Sequence, residues 1–320
     1  MVTEMKIVST IVPNEQIQKE MKQKFPQVHA EFYQGIENAQ NDLSDAEIFI
    51  TYGEDLTEQR IERAKNLKWI MVMSAGLEKM PFQALLERNI KVTNARGIHK
   101  IPMAEFTIGL ILNHAKRLGT ILKQQLKNEW NKKLHMQEVY GKNLLVVGAG
   151  AIGKQIAIYA NMFGMNVTGV NTSGERIEPF QQMYRLTDLN DALSHADYVV
   201  SVLPSTEKTI GIYNKETFAA MKPTSVFINI GRGNAVIEED LIVALNESKL
   251  EHAYLDVFQQ EPLPTDHPFW NMENVTITPH VSSHSKMYLV RAFEIFYHNL
   301  QTYMNNGDNY INEVDLTRGY

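Results

Sequence analysis

"LLVVGAGAIG" occupies residues 144–153, and its reading decides the fold. A short apolar run suited to a buried strand leads into Gly148, Gly150 and Gly153, spaced G-x-G-x-x-G, and a helix-patterned stretch, KQIAIYANMF (154–163), follows. Each glycine then has a physical task. The first permits a tight turn, the second lets a pyrophosphate approach the backbone, and the third lets helix and strand pack closely. The helix N-terminus adds amide donors and a partial positive charge. A glycine turn alone carries little weight. With the strand before it, the helix after it and a second apolar run, NVTGV (166–170), it reads as a dinucleotide-binding fingerprint.

The second strand raises the question of which dinucleotide. An Asp or Glu roughly 20 residues on normally accepts hydrogen bonds from the adenosine ribose. Here Asn171 stands in that slot, followed by Thr172, Ser173 and Arg176. Either Asn171 bonds the same ribose, or the four residues form a pocket for a 2′-phosphate. The second reading is preferred: NADP(H) as cofactor, with NAD(H) possible. Glu175, beside Arg176, works against it.

Outward from this motif, short apolar runs alternate with amphipathic stretches. MKIVSTIV (5–12), AEIFITY (46–52), LKWIMVM (67–73) and IKVTN (90–94) read as strands, with helices over 15–25 and 81–89. After a long helix from about 102 to 126 and a polar stretch, strands restart at 144–148, 166–170, 198–203, 226–230, 253–258 and 275–279. The fold class is therefore α/β, with two parallel-sheet units covered on both faces and a break near residue 100. The tail from 285 to about 305 reads as a helix, and its pattern does not say which unit it joins.

The bulk numbers set limits. A chain of 320 residues exceeds what one core usually organises. A net charge of −6 argues against nucleic acid and anionic membranes as partners. With no cysteine there is no disulfide, thiolate metal site or cysteine nucleophile. MVTEMKIVST lacks a signal-peptide pattern. IPMAEFTIGLILNHAKRLG (101–119) is interrupted by Glu105, Asn113, His114 and Lys116, so it reads as a buried helix and not a membrane span. The expected compartment is cytoplasmic.

Three polar residues follow late strands. Arg232 lies in INIGRGNAV, Glu261 in QQEPLPTDHPFW and His280 in TITPHVSSH. In open α/β sheets ligands bind beyond the carboxyl ends of the strands, where all three sit. Together they can supply an anion clamp, an orienting carboxylate and an acid/base. Singly, each has a plainer role as surface ion-pair partner, solvated loop residue or strand-end cap. His99 and His284 rank below His280, and His267 reads as a packing or capping residue. No spacing suggests a metal site, and no G-x-S-x-G elbow is present.

With these pieces in place, the chain resembles the D-isomer-specific 2-hydroxyacid dehydrogenases over essentially its whole length. The resemblance is carried by VVGAGAIG, SVLPSTEKT, INIGRGNAVIEEDLIVAL, LDVFQQEPLP and TPHVSS. It implies a flavodoxin-like substrate domain starting with residues 1–100, a Rossmann-type dinucleotide-binding domain inserted at 101–283, and a C-terminal helix within 284–320 returning to the first. It implies an oxidoreductase that reduces a small 2-oxo acid to the D-2-hydroxy acid, with Arg232, Glu261 and His280 catalytic. The backbone of Ser74, Ala75 and Gly76, together with Arg232, would hold the substrate carboxylate, and Tyr52 would face its side chain. Ile152 would sit in the glycine turn, Pro204 and Thr209 near the adenosine, and Asp256 near the nicotinamide amide. Ala151, Leu203, Ile230 and Ser282 complete the cofactor set. Asn171 departs from the Asp usual in NAD-preferring members. A homodimer is expected through the apolar helix from 102 and the arm bearing Trp130. Alternatives are a short phosphoglycerate dehydrogenase and a dinucleotide-sensing corepressor, although no long extension or regulatory domain is read here. Formate dehydrogenase would place Gln where Glu261 stands.

Overall fold

The computed structural model describes residues 5–77 and 79–317. Residues 1–4 and 318–320, the outermost parts of the expected terminal segments, lie outside the described residues, as does Glu78 of VMSAGLEKM. The chain divides into two compact units, one formed by Met1–Ile98 with Ser285–Tyr320 and the other by His99–His284.

The first unit contains β1 (Met5–Ser9), β2 (Val28–Phe32), β3 (Ile48–Thr51), β4 (Trp69–Val72) and β5 (Lys91–Asn94). They form one parallel sheet in the order β2-β1-β3-β4-β5. Successive side chains of a strand point to opposite faces, and here both faces are buried. Trp69 and Met71 of β4 share a core with Ile48 and Ile50 of β3, while Ile70 and Val72 share the opposite core with Phe49. That is why these strands read as unbroken apolar runs and not as alternations. β2, which the sequence pattern does not mark, is an edge strand with no fully buried residue. The tail forms the helix Tyr288–Met304 and belongs to this unit. Its Ala292, Phe293, Phe296, Tyr297 and Leu300 recur at helical spacing and enter the core of Trp69. The Trp69 ring stacks on Phe296 at 5.3 Å, and its indole N–H donates to Thr93 Oγ1 at 2.9 Å, so the buried polar atom is satisfied.

The second unit contains β6 (Asn143–Val147), β7 (Asn166–Asn171), β8 (Gln182–Arg185), β9 (Tyr198–Ser201), β10 (Val226–Asn229), β11 (His252–Leu255) and β12 (Val275–Ile277). They too are all parallel, in the order β12-β11-β10-β9-β6-β7-β8. Leu145 and Val147 face one core, Leu144 and Val146 the other. The strand order reverses at β6, and the crevice between β6 and β9 is the place where such sheets bind ligands.

One expectation is corrected here. The helix expected to run unbroken from 102 to 126 is two helices, Lys100–Ala115 and Leu118–Leu126. Arg117 between them is left-handed, at φ 53°, and its guanidinium bonds Glu251 at 2.7 Å. Gly119 N–H is recaptured by Asn113 Oδ1 at 3.0 Å. The apolar pattern continues across the break, but the second helix buries none of its residues. Among the described residues, no helix is long and apolar enough to cross a membrane.

At the amino ends of β9 and β11, His252 lies 5.5 Å from His114 and 4.6 Å from Tyr254, ring centre to centre, and its Nε2 meets Thr276 Oγ1 at 2.9 Å. Burial, and then His114, Arg117 and Lys123, push its pKa down from 6.5 to about 3. The neutral ring therefore stabilises the fold fully above about 6.5. As pH falls from 6.5 toward 3 the unfolded chain takes up a proton that the folded chain refuses, and stability is lost. The contribution is at most about 1.4 kcal/mol per pH unit. Urea unfolding at pH 6.5 and 5.0 should show a smaller loss in His252→Gln than in the unmodified chain. Equal losses would refute the assignment.

Candidate active site

The glycine turn sits at the carboxyl end of β6. Gly148 is at φ 110°, and a Cβ on Gly153 would lie 2.1 Å from Gly148 O, so only glycine lets the helix Ala151–Met162 start against the strand. Ala151 and Ile152 open that helix and contribute first-turn amides. Beside the turn is a cavity of about 710 Å³. Gly148 and Gly150 line one side, Asn171 and Thr172 another, and Leu203, Pro204 and Thr209 a third. A backbone bare of side chains at a helix start, opening on a cavity of this size, fits a dinucleotide. Leu186, Thr206, Glu207 and Lys208 also line it. Leu186 went unread because it follows β8, an edge strand without a buried apolar run, and within SVLPSTEKT the resemblance points only to Leu203, Pro204 and Thr209. The Thr209 hydroxyl is occupied, accepting from Thr206 N–H at 2.9 Å and donating to Pro204 O at 2.6 Å, and so it shapes the loop. Ile230 is buried at 2% exposure and forms no part of the wall.

The turn after β7 differs from its expected form. Asn171 Oδ1 accepts from Gly174 N–H at 2.6 Å, and its Nδ2 donates to Glu175 O at 3.2 Å. The side chain closes its own turn. Ser173 and Arg176 do not line the cavity. Arg176 is exposed and pairs with Glu178 at 3.4 Å.

Arg232, Glu261 and His280 follow β10, β11 and β12, three neighbouring strands. His280 Nδ1 lies 2.7 Å from Glu261 Oε2. A carboxylate only accepts, so Nδ1 carries the proton and Nε2 is left for a ligand. The other carboxylate oxygen accepts from Phe258 N–H at 3.0 Å, which fixes Glu261 itself. His280 is half exposed and held at φ 52°, a conformation costly for a residue with a side chain. Asp256 over-determines that turn. Its buried carboxylate accepts from Thr278 Oγ1 at 2.6 Å and from the amides of Val281 and Ser282 at 3.0 Å each. Its carbonyl takes His280 N–H at 2.9 Å. Asp256 and Ser282, expected at the cofactor, are thus bonded to each other beneath the His280 turn.

Arg232 is joined to the same framework. A Cβ on Gly233 would lie 1.9 Å from the Phe258 carbonyl, so the Arg232 loop rests directly on the backbone whose amide holds Glu261. Asn229 Nδ2 donates to Arg232 O at 3.0 Å. The charge of Arg232 also reaches His99, whose pKa is lowered by burial first and by Arg232 in addition. His267 packs on Phe269 at 4.6 Å and accepts from its amide. Among the described residues, no group of His, Asp or Glu is arranged to hold a metal.

The first unit carries its own cluster at the carboxyl ends of β3, β4 and β5. Ser74 Oγ lies 3.1 Å from Tyr52 O, joining the two loops, and Ala95 N–H donates to Ser74 O at 3.0 Å. Among the described residues, the amides of Ser74, Ala75 and Gly76 donate to no protein acceptor, which suits an anion. Tyr52 is 43% exposed and its ring lies 6.4 Å from Tyr288. Tyr288, missed in the sequence, reaches the cluster from the C-terminal helix and donates to Met73 O at 2.7 Å. Burial, and then Tyr52, push its pKa to about 12, so it remains a neutral donor. A tyrosine more than two hundred residues from the loop it supports leaves no local signal.

Comparison with known proteins agrees with this geometry. Residues 108–282 match the model of the D-isomer specific 2-hydroxyacid dehydrogenase, NAD binding domain. Glyoxylate/hydroxypyruvate reductase B of Shigella boydii serotype 4 is 31% identical over 247 residues, 75% of this chain and 76% of that protein. D-3-phosphoglycerate dehydrogenase of Methanocaldococcus jannaschii is 34% identical over 74% of this chain, which spans 46% of that longer protein. The solved structure of a D-isomer specific 2-hydroxyacid dehydrogenase family protein from Aeromonas salmonicida superposes with a TM-score of 0.84 at 32% identity, covering 98% of this chain and 100% of that one. The chain belongs to the D-isomer specific 2-hydroxyacid dehydrogenase family, the NAD(P)-dependent oxidoreductases that interconvert 2-oxo acids and D-2-hydroxy acids.

Proposed function

We propose that this enzyme reduces a small 2-oxo acid with NADPH, that Arg232, Glu261 and His280 carry the reaction, and that the first unit supplies the substrate-binding loops. The observation that carries the assignment is the 2.7 Å His280–Glu261 bond, which leaves Nε2 free. The nicotinamide, when bound, supplies the hydride for C2. His280 delivers a proton from Nε2 to the oxygen developing at C2, and Glu261 keeps the ring oriented. The Arg232 guanidinium suits a 2-oxo acid because its planar fork can engage carboxylate and carbonyl oxygens together. Within the first unit, the amides of Ser74, Ala75 and Gly76 suit a carboxylate, and Tyr52 stands on the adjoining loop. The Shigella relative's name favours glyoxylate and hydroxypyruvate as substrates. The Methanocaldococcus relative makes the phosphorylated oxo acid the second reading, tested in the same substrate panel.

His280→Ala is expected to lower kcat for reduction by about 10²–10⁴-fold, measured with glyoxylate, hydroxypyruvate and 3-phosphohydroxypyruvate. An unchanged kcat on the best of these would remove His280 from the mechanism.

NADPH is favoured because no carboxylate ends β7. An Asp at 171 would repel a 2′-phosphate, and a unit-charge pair at contact is worth about 1 kcal/mol in water and about 4 at an effective dielectric of 20. Asn171→Asp should therefore shift the kcat/KM ratio toward NADH by tenfold or more, roughly as that range implies. A wild-type preference for NADH would overturn the reading.

The enzyme is further proposed to be a homodimer formed through the second unit. Leu122, Leu126 and Trp130 are 60%, 85% and 89% exposed along the second helix and the arm after it. Tyr140 and Met162 of the same unit are also bare, at 77% and 76%. Large apolar side chains left this exposed favour an interface. Sedimentation at micromolar concentration should give twice the chain mass of 36.6 kDa, and a single-chain species alone would refute it.

A further inference from the structure

Arg185, not Arg176, is the guanidinium that the fold brings to the end of β7. In the pairing of the two strands, Arg185 is the register partner of Asn171. Its stem crosses Gly174, where a Cβ would lie 2.6 Å from Arg185 Cγ, so the missing side chain there makes its path. Nε–H donates to Ser173 O at 3.2 Å, which fixes the guanidinium beside the Asn171–Thr172–Ser173 turn. Among the described residues no carboxylate pairs with Arg185 and neither Nη has a protein acceptor, whereas Arg176 is already paired with Glu178 on the outer surface. Leu186, the next residue, lines the dinucleotide cavity, so the end of β8 stands at its rim. A cation fixed by one nitrogen with its remaining fork open is suited to a phosphomonoester.

We propose that Arg185 is the specificity-determining residue for the cofactor, binding the 2′-phosphate of NADPH. This rests on the NADPH reading above. Arg185 stands beside the rim through its neighbour Leu186; the cation that lines the cavity itself, Lys208, adjoins Glu207 in the loop after Pro204 and serves as the internal comparison.

The test is calorimetric binding of 2′,5′-ADP and 5′-AMP at fixed ionic strength to the full chain and to Arg185→Ala, Arg185→Lys, Arg176→Ala and Lys208→Ala. Arg185→Ala should weaken 2′,5′-ADP by about tenfold to a hundredfold, the span for hydrogen bonds to charged groups, and leave 5′-AMP nearly unchanged. Arg185→Lys, which keeps the charge but loses the Ser173 bond and the fork, should fall between. It carries the test if the alanine variant melts early. Arg176→Ala and Lys208→Ala should keep the wild-type ratio. If the full chain prefers 2′,5′-ADP and Arg185→Ala keeps that preference, or if Lys208→Ala or Arg176→Ala abolishes it, this assignment falls and the NADPH reading stands. If the full chain binds both nucleotides equally, both fall.

Discussion

One buried carboxylate governs the geometry of the candidate active site. Asp256 is 1% exposed, and its oxygens take the hydroxyl of Thr278 and the amides of Val281 and Ser282. A carboxylate in such a place is costly unless every acceptor site is answered, and three donors converging on it give the segment 278–282 a single path. That path holds His280 at positive φ, a conformation it would not keep alone. The position of the imidazole is thus determined from behind by Asp256 and from the side by Glu261.

The same economy joins Arg232 to this framework. Gly233 lies against the Phe258 carbonyl, and the Phe258 amide holds Glu261. Arg232 and the histidine's carboxylate are therefore both referenced to one residue, Phe258, and not to two independent loops. Pre-organisation of this kind would let the proposed proton donation and anion binding proceed with little reorganisation.

The fold was largely legible because parallel sheets covered on both faces demand continuous apolar strands, and those runs stand out in LKWIMVM and LLVVG. What stayed hidden has physical causes. β2 (VHAEF) and β8 (QMYR) are edge strands, only partly buried, and their polar residues break the apolar run that marked the others. The break at Arg117 was masked because the apolar spacing continues past it. Strand-end position could be read for Arg232, Glu261 and His280 by segment. The shaping of the His280 turn by Asp256 could not, since it depends on which strands are neighbours.

The turn after β7 shows where reading by segment fails. A linear reading seeks a phosphate's partner within a few residues of Asn171 and finds Arg176. In a sheet, the nearest residue to a strand end belongs to the adjacent strand at the same register, and for Asn171 that residue is Arg185. Asn171 spends its side chain closing its own turn, and Arg176 is occupied by Glu178. Charge at the rim is therefore set by lateral pairing and not by the order of residues along the loop. For the same reason an acidic residue introduced at 171 would act twice, confronting a 2′-phosphate directly and giving Arg185 a carboxylate within its own register pair.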